Sequence, residues 1–345
     1  MDKFLEIADY LKHYDGKKVT LMEVCGTHTA SIVENGIEDM LSDNIRLITG
    51  PGCPVCVTVA SYIDKLCELA KRPNTCVCSF GDMIRVPSSN GSLRDAQADG
   101  GRIMMLYSPL DLINIALNEP ETDFVFAAVG FETTTPLYAV LLDEIIKRNI
   151  KNIRLLTALK TMPSVIDTVL SASGEITGMI APGHVSVISG ARVFEEPAQK
   201  FNIPFAVAGF EGKQILTAIW ALVKLQGQGV VKNLYPEAVS DNRNESSYAL
   251  VEKYFEPCEA AWRGLGIIKN SGMRLKNEYS MYDAGSASLY EDFIPRGCSC
   301  GEVITGIKSP EQCPLFGKLC TPASPVGACM VSHEGSCFNR FTNKI

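Results

Sequence analysis

The sequence predicts an α/β protein: two Rossmann-like parallel-sheet α/β domains followed by a cysteine-rich C-terminal domain. Three observations carry this reading. Short apolar runs alternate with segments of helical periodicity from the N-terminus to about residue 225, as βα units do. The unusual loops, rich in Gly, Cys and His, fall where an apolar run ends and a helical pattern is about to start. Six of the 13 cysteines are gathered between Cys298 and Cys337, after the alternation has stopped. The expected division is 1–120 and 121–230 for the two α/β domains and 231–345 for the last.

In chain order, residues 1–16 read as a short amphipathic helix ending at Asp15-Gly16. Residues 18–24 read as a buried strand, with Val19, Leu21, Met22 and Val24 apolar, and residues 45–49 as another. Val59, Tyr62, Ile63, Leu66 and Leu69 then fall at helical spacing. Strands are expected at 76–80 and 102–107, joined through a polar, glycine-containing turn over 88–101, with a helix at 111–117. A second round brings strand 123–129 with a helix to about 148, strand 152–158 with helix 164–171, strand 176–180, and strand 204–208 with helix 214–225. Beyond residue 226, segments 248–255 and 260–262 read as helical, and 264–272 and 283–285 as loops. Gly-Phe-Glu occurs at 130–132 and again at 209–211, each time after a strand, a hint of two similar halves.

At 345 residues with 46% hydrophobic content the chain can bury real cores. A net charge of −7 and the lack of any Lys/Arg run argue against nucleic acid as a partner. The start Met1-Asp2-Lys3-Phe4-Leu5-Glu6 carries acids where a signal peptide needs a basic start, and no 18-residue apolar stretch exists, so neither export nor a membrane is expected. A cytoplasmic protein follows. Thirteen cysteines in a reducing compartment point to metal or redox chemistry rather than a disulfide framework.

The chain is organised around Cys25-Gly26-Thr27-His28 and Gly50-Pro51-Gly52-Cys53-Pro54-Val55-Cys56. Three thiols and an imidazole thus sit on two short loops at strand ends. A Cys-X-X-Cys pair beside a helix start is expected to have a lowered thiol pKa, because amides and the helix dipole favour the thiolate. Such a thiolate attacks, is oxidised or binds a soft metal. Cys67 and Cys258 have no partner close in sequence and read as small hydrophobes, and Cys76 and Cys78 as core residues of a central strand.

In open α/β sheets ligands bind beyond the carboxyl ends of the strands. Cys25, His28, Cys53, Cys56, Asp82, Arg85, Glu132, Thr133, Thr134, His184 and Glu211 are therefore candidates to line one cleft. Two readings stay open for several of them. Thr133 to Thr135 either face the cleft or cap the helix before Pro136, and Asp82 and Arg85 either face it or pair with each other. No loop matches a phosphate-binding fingerprint, so a nucleotide is not expected.

Cys298, Cys300, Cys313, Cys320, Cys329 and Cys337 are separated by 1, 12, 6, 8 and 7 residues, matching neither a zinc ribbon nor the bacterial ferredoxin run. Four of them suit a thiolate metal site, iron–sulfur ahead of zinc because an adjacent redox dithiol needs an electron source. Two or three disulfides are the alternative.

These motifs, with Phe80-Gly-Asp-Met-Ile-Arg-Val-Pro87, Gly130-Phe-Glu-Thr-Thr-Thr-Pro136, Ala181-Pro-Gly-His-Val185, Trp262-Arg-Gly-Leu-Gly266 and Cys298-Ser-Cys-Gly301, resemble the HypD family of hydrogenase maturation factors along essentially the whole chain. Residues 233–247 are less similar, and Ala30 stands where many members carry a second histidine. The resemblance implies a scaffold that assembles the Fe(CN)2CO group of nickel–iron hydrogenases with the small chaperone HypC and the cyanide-supplying HypE. It also implies a [4Fe–4S] cluster in the last domain. On that reading Cys25 holds iron carrying CN and CO, with His28 as ligand or proton carrier. Cys53 and Cys56 cycle between dithiol and disulfide or bind the iron transiently. Asp82, Glu132 and His184 complete the candidate catalytic set. Cys298, Cys300, Cys313 and Cys320 are the expected cluster ligands, and Cys329 and Cys337 a second redox pair. A stand-alone thiol–disulfide oxidoreductase and a zinc-stabilised interaction module are the rival readings.

Overall fold

The structure is a computed structural model and describes residues 3–343. In chain order its strands are β1 (Val19–Glu23), β2 (Ile45–Thr49), β3 (Thr75–Ser79), β4 (Ile103–Met105), β5 (Asp123–Gly130), β6 (Ile153–Lys160), β7 (Gly178–Ala181), β8 (Phe205–Val207), β9 (Val231–Asn233), β10 (Phe255–Trp262) and β11 (Gly266–Leu275). They form two sheets. The first has order β2-β1-β7-β8-β9 and is parallel throughout. The second has order β10-β11-β6-β5-β3-β4, parallel from β6 to β4 and closed at the other edge by the antiparallel hairpin β10–β11.

The alternation predicted from sequence is present because each central strand is apolar on both faces, as a parallel sheet covered by helices requires. In β5, Phe124, Phe126 and Ala128 enter one core while Val125, Ala127 and Val129 enter the core on the opposite face. Cys76 and Cys78 share the first of these cores and Val77 the second, so the two cysteines are packing residues of β3.

The sheets do not follow the expected boundary at residue 120. After β2 the chain crosses over, builds β3 to β6 of the second sheet, returns for β7 to β9, and closes the second sheet with β10 and β11. The crossing helices explain the interleaving. Helix Ala60–Ala70 follows a first-sheet strand, yet its Tyr62, Ile63, Leu66 and Leu69 pack with Val77 and Val125 of the second. Helix Met162–Ala172 follows β6, yet its Val165, Ile166 and Val169 pack with Met179 and Phe205 of the first.

Some local expectations are corrected. Residues 260–262, expected helical, lie in β10, and of 264–272, expected as loop, residues 266–272 lie in β11. This stretch is an edge hairpin with one covered face, and its turn is tight: Gly264 has φ +76°, a conformation that residues with a Cβ rarely adopt. Helix Leu93–Ala98 lies within the expected turn, started by Ser92 and Asp95, which cap each other reciprocally.

The C-terminal segment wedges between the sheets. Cys300, Cys320, Cys329 and Cys337 belong to the core formed on one face of the first sheet by Met22, Met179 and Val207, while Ala328 and Val331 belong to a core of the second. Among the described residues no helix is long and apolar enough to cross a membrane.

Candidate functional site

The carboxyl ends of β1 and β2 bring the two cysteine loops together. Cys25 is extended and immediately precedes helix Gly26–Glu34. Gly50 N donates to Glu23 O at 2.7 Å, and Gly26 N donates to Gly52 O at 3.2 Å. A Cβ at Gly52 would stand 2.3 Å from Cys25 N, so only glycine lets the loops approach this closely.

Cys53 and Cys56 are disulfide-bonded, with Cα atoms 5.2 Å apart. The expected helix start beside Cys56 is corrected: residues 53–58 form turns, with Val57 N donating to Cys53 O and Thr58 N to Val55 O, and the helix begins only at Ala60. The other 11 cysteines are free.

Cys25 is buried, and burial pushes its thiol up to about 12, with Glu334 and Glu23 adding in the same direction. It is therefore a neutral thiol at pH 7. Behind it lies Glu23, which the sequence reading missed although it is a lone carboxylate in an apolar run. Glu23 is buried, and its two oxygens accept Cys25 N at 2.9 Å and Thr29 Oγ1 at 2.5 Å. Burial raises its carboxyl to about 7 against the effect of those bonds.

His28 is fully buried on the helix after Cys25. Its Nε2 donates toward Gly209 O at 3.0 Å and Ala208 O at 3.2 Å, so the ring ties this helix to the loop after β8. Burial lowers it to about 4, which leaves it neutral, and Nδ1 has no partner. Phe210 stacks between His28 and His184, with ring centroids 4.9 and 4.0 Å apart. His184 is exposed in the first turn of helix Gly183–Ser189, and Glu211 caps helix Gly212–Lys224.

Asp82 and Arg85 do not turn to each other. Ser332 Oγ donates to Asp82 Oδ2 at 2.8 Å, and Arg85 donates to Pro322 O at 3.0 Å, so both hold the C-terminal segment. Glu334 of that segment lies against Gly26, and its carboxyl is raised to about 7 by burial and by Asp82.

The single cleft expected from sequence is divided, because β1, β2, β7 and β8 belong to one sheet and β3 and β5 to the other. Cys25, His28, Cys53 and Cys56 come together, Asp82 reaches them through the C-terminal segment, and Glu132 does not. Glu132 accepts Met162 N at 2.8 Å, keeps one oxygen buried without a partner, and is raised to about 7 by burial. It lines a separate cavity of about 180 Å³ with Thr161, Ser164, Tyr248, Asn270 and Met273. Thr134 is the N-cap of the following helix and Thr135 Oγ1 donates to Phe131 O, a helix-start arrangement.

Four of the six tail sulfurs form a chain of contacts. The Cys298 and Cys300 thiols hydrogen-bond, Cys300 also contacts Cys329, and Cys329 Sγ lies 3.1 Å from Cys337 Sγ. Cys313 and Cys320 complete the group electrostatically, Cys313 acting on Cys298 and both Cys337 and Cys313 on Cys320. Backbone amides point at two of them: Ser299 N donates to Cys313 Sγ at 3.5 Å and Val326 N to Cys320 Sγ at 3.3 Å. Among the described residues no three His, Cys, Asp or Glu side chains form a ready-made metal site.

A family model, HypD, described as the hydrogenase formation hypA family, matches residues 3–344. The hydrogenase maturation factor HypD of Rhizobium leguminosarum bv. viciae is 41% identical over 345 residues, covering 94% of this chain and 89% of the relative. That of Cupriavidus necator is 38% identical over 336 residues, covering 93% and 89%. A putative hydrogenase expression/formation protein of Methanocaldococcus jannaschii is 36% identical over 347 residues, covering 98% and 94%. With the matched region running from the first described helix through all six tail cysteines, the chain belongs to the HypD family of hydrogenase maturation factors.

Proposed function

We propose that the chain is a cytoplasmic scaffold on which the Fe(CN)2CO group of a nickel–iron hydrogenase is assembled, together with a HypC-type small chaperone and a HypE-type cyanide donor. One observation carries this reading: the Cys25 loop, the Cys53–Cys56 disulfide and the sulfur-rich tail meet in a single buried region. Iron is the cargo, and Cys25 is its attachment point. A thiol held near 12 binds only when the metal displaces its proton, so the protonated thiol resists oxidation and alkylation while a soft iron centre finds a thiolate donor. The adjacent disulfide opens by taking up two electrons and two protons, giving two thiols beside the cargo.

The tail fits a [4Fe–4S] cluster, since its donors are all thiols and backbone amides already point at Cys313 and Cys320. The 3.1 Å contact between the Cys329 and Cys337 sulfurs supports these two as the redox pair, with Cys298, Cys300, Cys313 and Cys320 as the holding set. Cys300 and Cys329 are the two most enclosed of the six. The cluster supplies electrons one at a time when bound. The exposure of Cys53 and Cys56, 5% and 1%, disfavours a stand-alone oxidoreductase, whose attacking sulfur must reach a substrate disulfide.

The test is infrared spectroscopy of the chain purified anaerobically with the small chaperone. Cys25→Ala should remove the iron–cyanide bands, and bands of full intensity in that variant would refute the assignment.

A further inference from the structure

Glu132 holds the start of a helix with one carboxyl oxygen and leaves the other without a task. Its Oε1 accepts Met162 N at 2.8 Å, where helix Met162–Ala172 begins with no cap from the Thr161 side chain. Such a cap needs one acceptor, and a glutamine supplies it without the cost of burying an acid. Oε2 is buried and has no partner. Glu132 is also a wall of the cavity of about 180 Å³ described above, and its charge acts on Tyr248 of the same cavity.

The polar wall around this carboxyl is rich in acceptors. Thr135 Oγ1 donates to Phe131 O at 3.0 Å, Thr161 Oγ1 to Asn270 O at 3.3 Å, and Ser164 Oγ to that same oxygen at 2.8 Å. Each of these hydroxyls has spent its proton and keeps only lone pairs to offer a ligand. The two bonds to Asn270 O also pin that residue, at φ +53°, as a fixed part of the wall. A second cavity of about 450 Å³ shares Tyr248, Val251, Asn270 and Met273 with the first and adds Phe255 and Pro257, so apolar surface leads away from the carboxyl. A carboxylate set among lone pairs, with an apolar run beside it, complements a cation that carries several N–H donors on a hydrocarbon body. Among the described residues no trio of His, Cys, Asp or Glu stands there for a metal ion. We infer that this cavity is a ligand site of its own, which takes the ammonium head of a small alkylamine at Glu132 Oε2 and lays the alkyl chain along Val251 and Met273 toward the second cavity. The site is separate from the Cys25 region and does not depend on the assembly reading.

The experiment titrates the full, metal-free chain at pH 8 with n-butylammonium chloride and, separately, with n-butanol, which matches its length without the charge. Calorimetry and saturation-transfer NMR read the binding. At this pH most of the Glu132 carboxyl, raised by burial to about 7, is ionised. Butylammonium should bind saturably, with a dissociation constant in the millimolar range or below, as suits a ligand of few heavy atoms. Butanol should bind at least about tenfold more weakly, since it lacks the charge that pairs with a buried carboxylate. Glu132→Gln, which keeps an acceptor for Met162 N, should weaken butylammonium by about tenfold or more and leave butanol unchanged. The comparison of the two probes on the wild type decides the matter where Glu132→Gln fails to fold. Lack of saturable butylammonium binding, butanol binding as tightly, or a folded Glu132→Gln chain that binds butylammonium undiminished overturns the inference. A capped lysine peptide that binds more tightly than butylammonium overturns the assignment to a small molecule.

Discussion

Glu132 offers a quantitative test of how the interior treats charge. Its carboxyl is moved from 4.5 to about 7 by burial, and at about 1.4 kcal/mol per pH unit this amounts to about 3 kcal/mol. The sign follows from proton counting. Between pH 4.5 and 7 the folded chain keeps a proton that the unfolded chain has lost, so stability falls as pH rises through that window and the loss is complete above it. Glu132→Gln removes the titration while its amide oxygen can still accept Met162 N. The variant should match the wild type within about 1 kcal/mol at pH 5, because both then carry a neutral group with one buried polar atom unpartnered. At pH 8 it should be the more stable, and the difference between the two pH values should be about 3 kcal/mol, or roughly 1–2 °C per kcal/mol in a thermal scan of a chain of 345 residues. Glu23 and Glu334 titrate in the same window, so the comparison must be variant against wild type. Urea unfolding of the metal-free chain at pH 5 and pH 8 at matched ionic strength supplies the numbers. A pH-dependent difference below about 1 kcal/mol, or one of opposite sign, would show that the Glu132 carboxyl is ionised in the fold and that the burial argument fails.

Two further outcomes are expected. Gly52→Ala places a methyl against the backbone of Val24 and Cys25, neither of which can rotate away; stability should fall by about 1–3 kcal/mol and Cys25 should alkylate several-fold faster as the loops part, so an unchanged rate and melting point would contradict the contact. His28→Ala loses both carbonyl partners and the Phe210 stack and should cost about 2–4 kcal/mol in the metal-free chain; a variant of undiminished stability that had lost only iron binding would make His28 a ligand rather than a strut.

The parts of the site that were legible in the sequence are those where chemistry and backbone demand coincide. Cys25 and Cys53 follow apolar strands, and Gly52 marks the close approach that joins them. The six tail cysteines were visible as a group because they fall together in a stretch poor in periodic apolar residues. Glu23 was missed because a single acid inside a buried strand reads as an interruption until its partners, Cys25 N and Thr29, are seen. Arg263 was quoted within a motif without a role, since its partners Val57 and Thr58 are distant in sequence.

By itself the sequence determined the α/β class, the strand ends that carry chemistry and the pool of sulfur donors, because hydrophobic period and turn residues are local signals. Which strands share a sheet, which face His28 presents, and which sulfurs touch were decided only by the tertiary structure. A helix such as Ala60–Ala70 has the same amphipathic pattern whether it packs back on its own sheet or crosses to the next. The choice is made by complementary packing between residues far apart in the chain, and no local pattern encodes it.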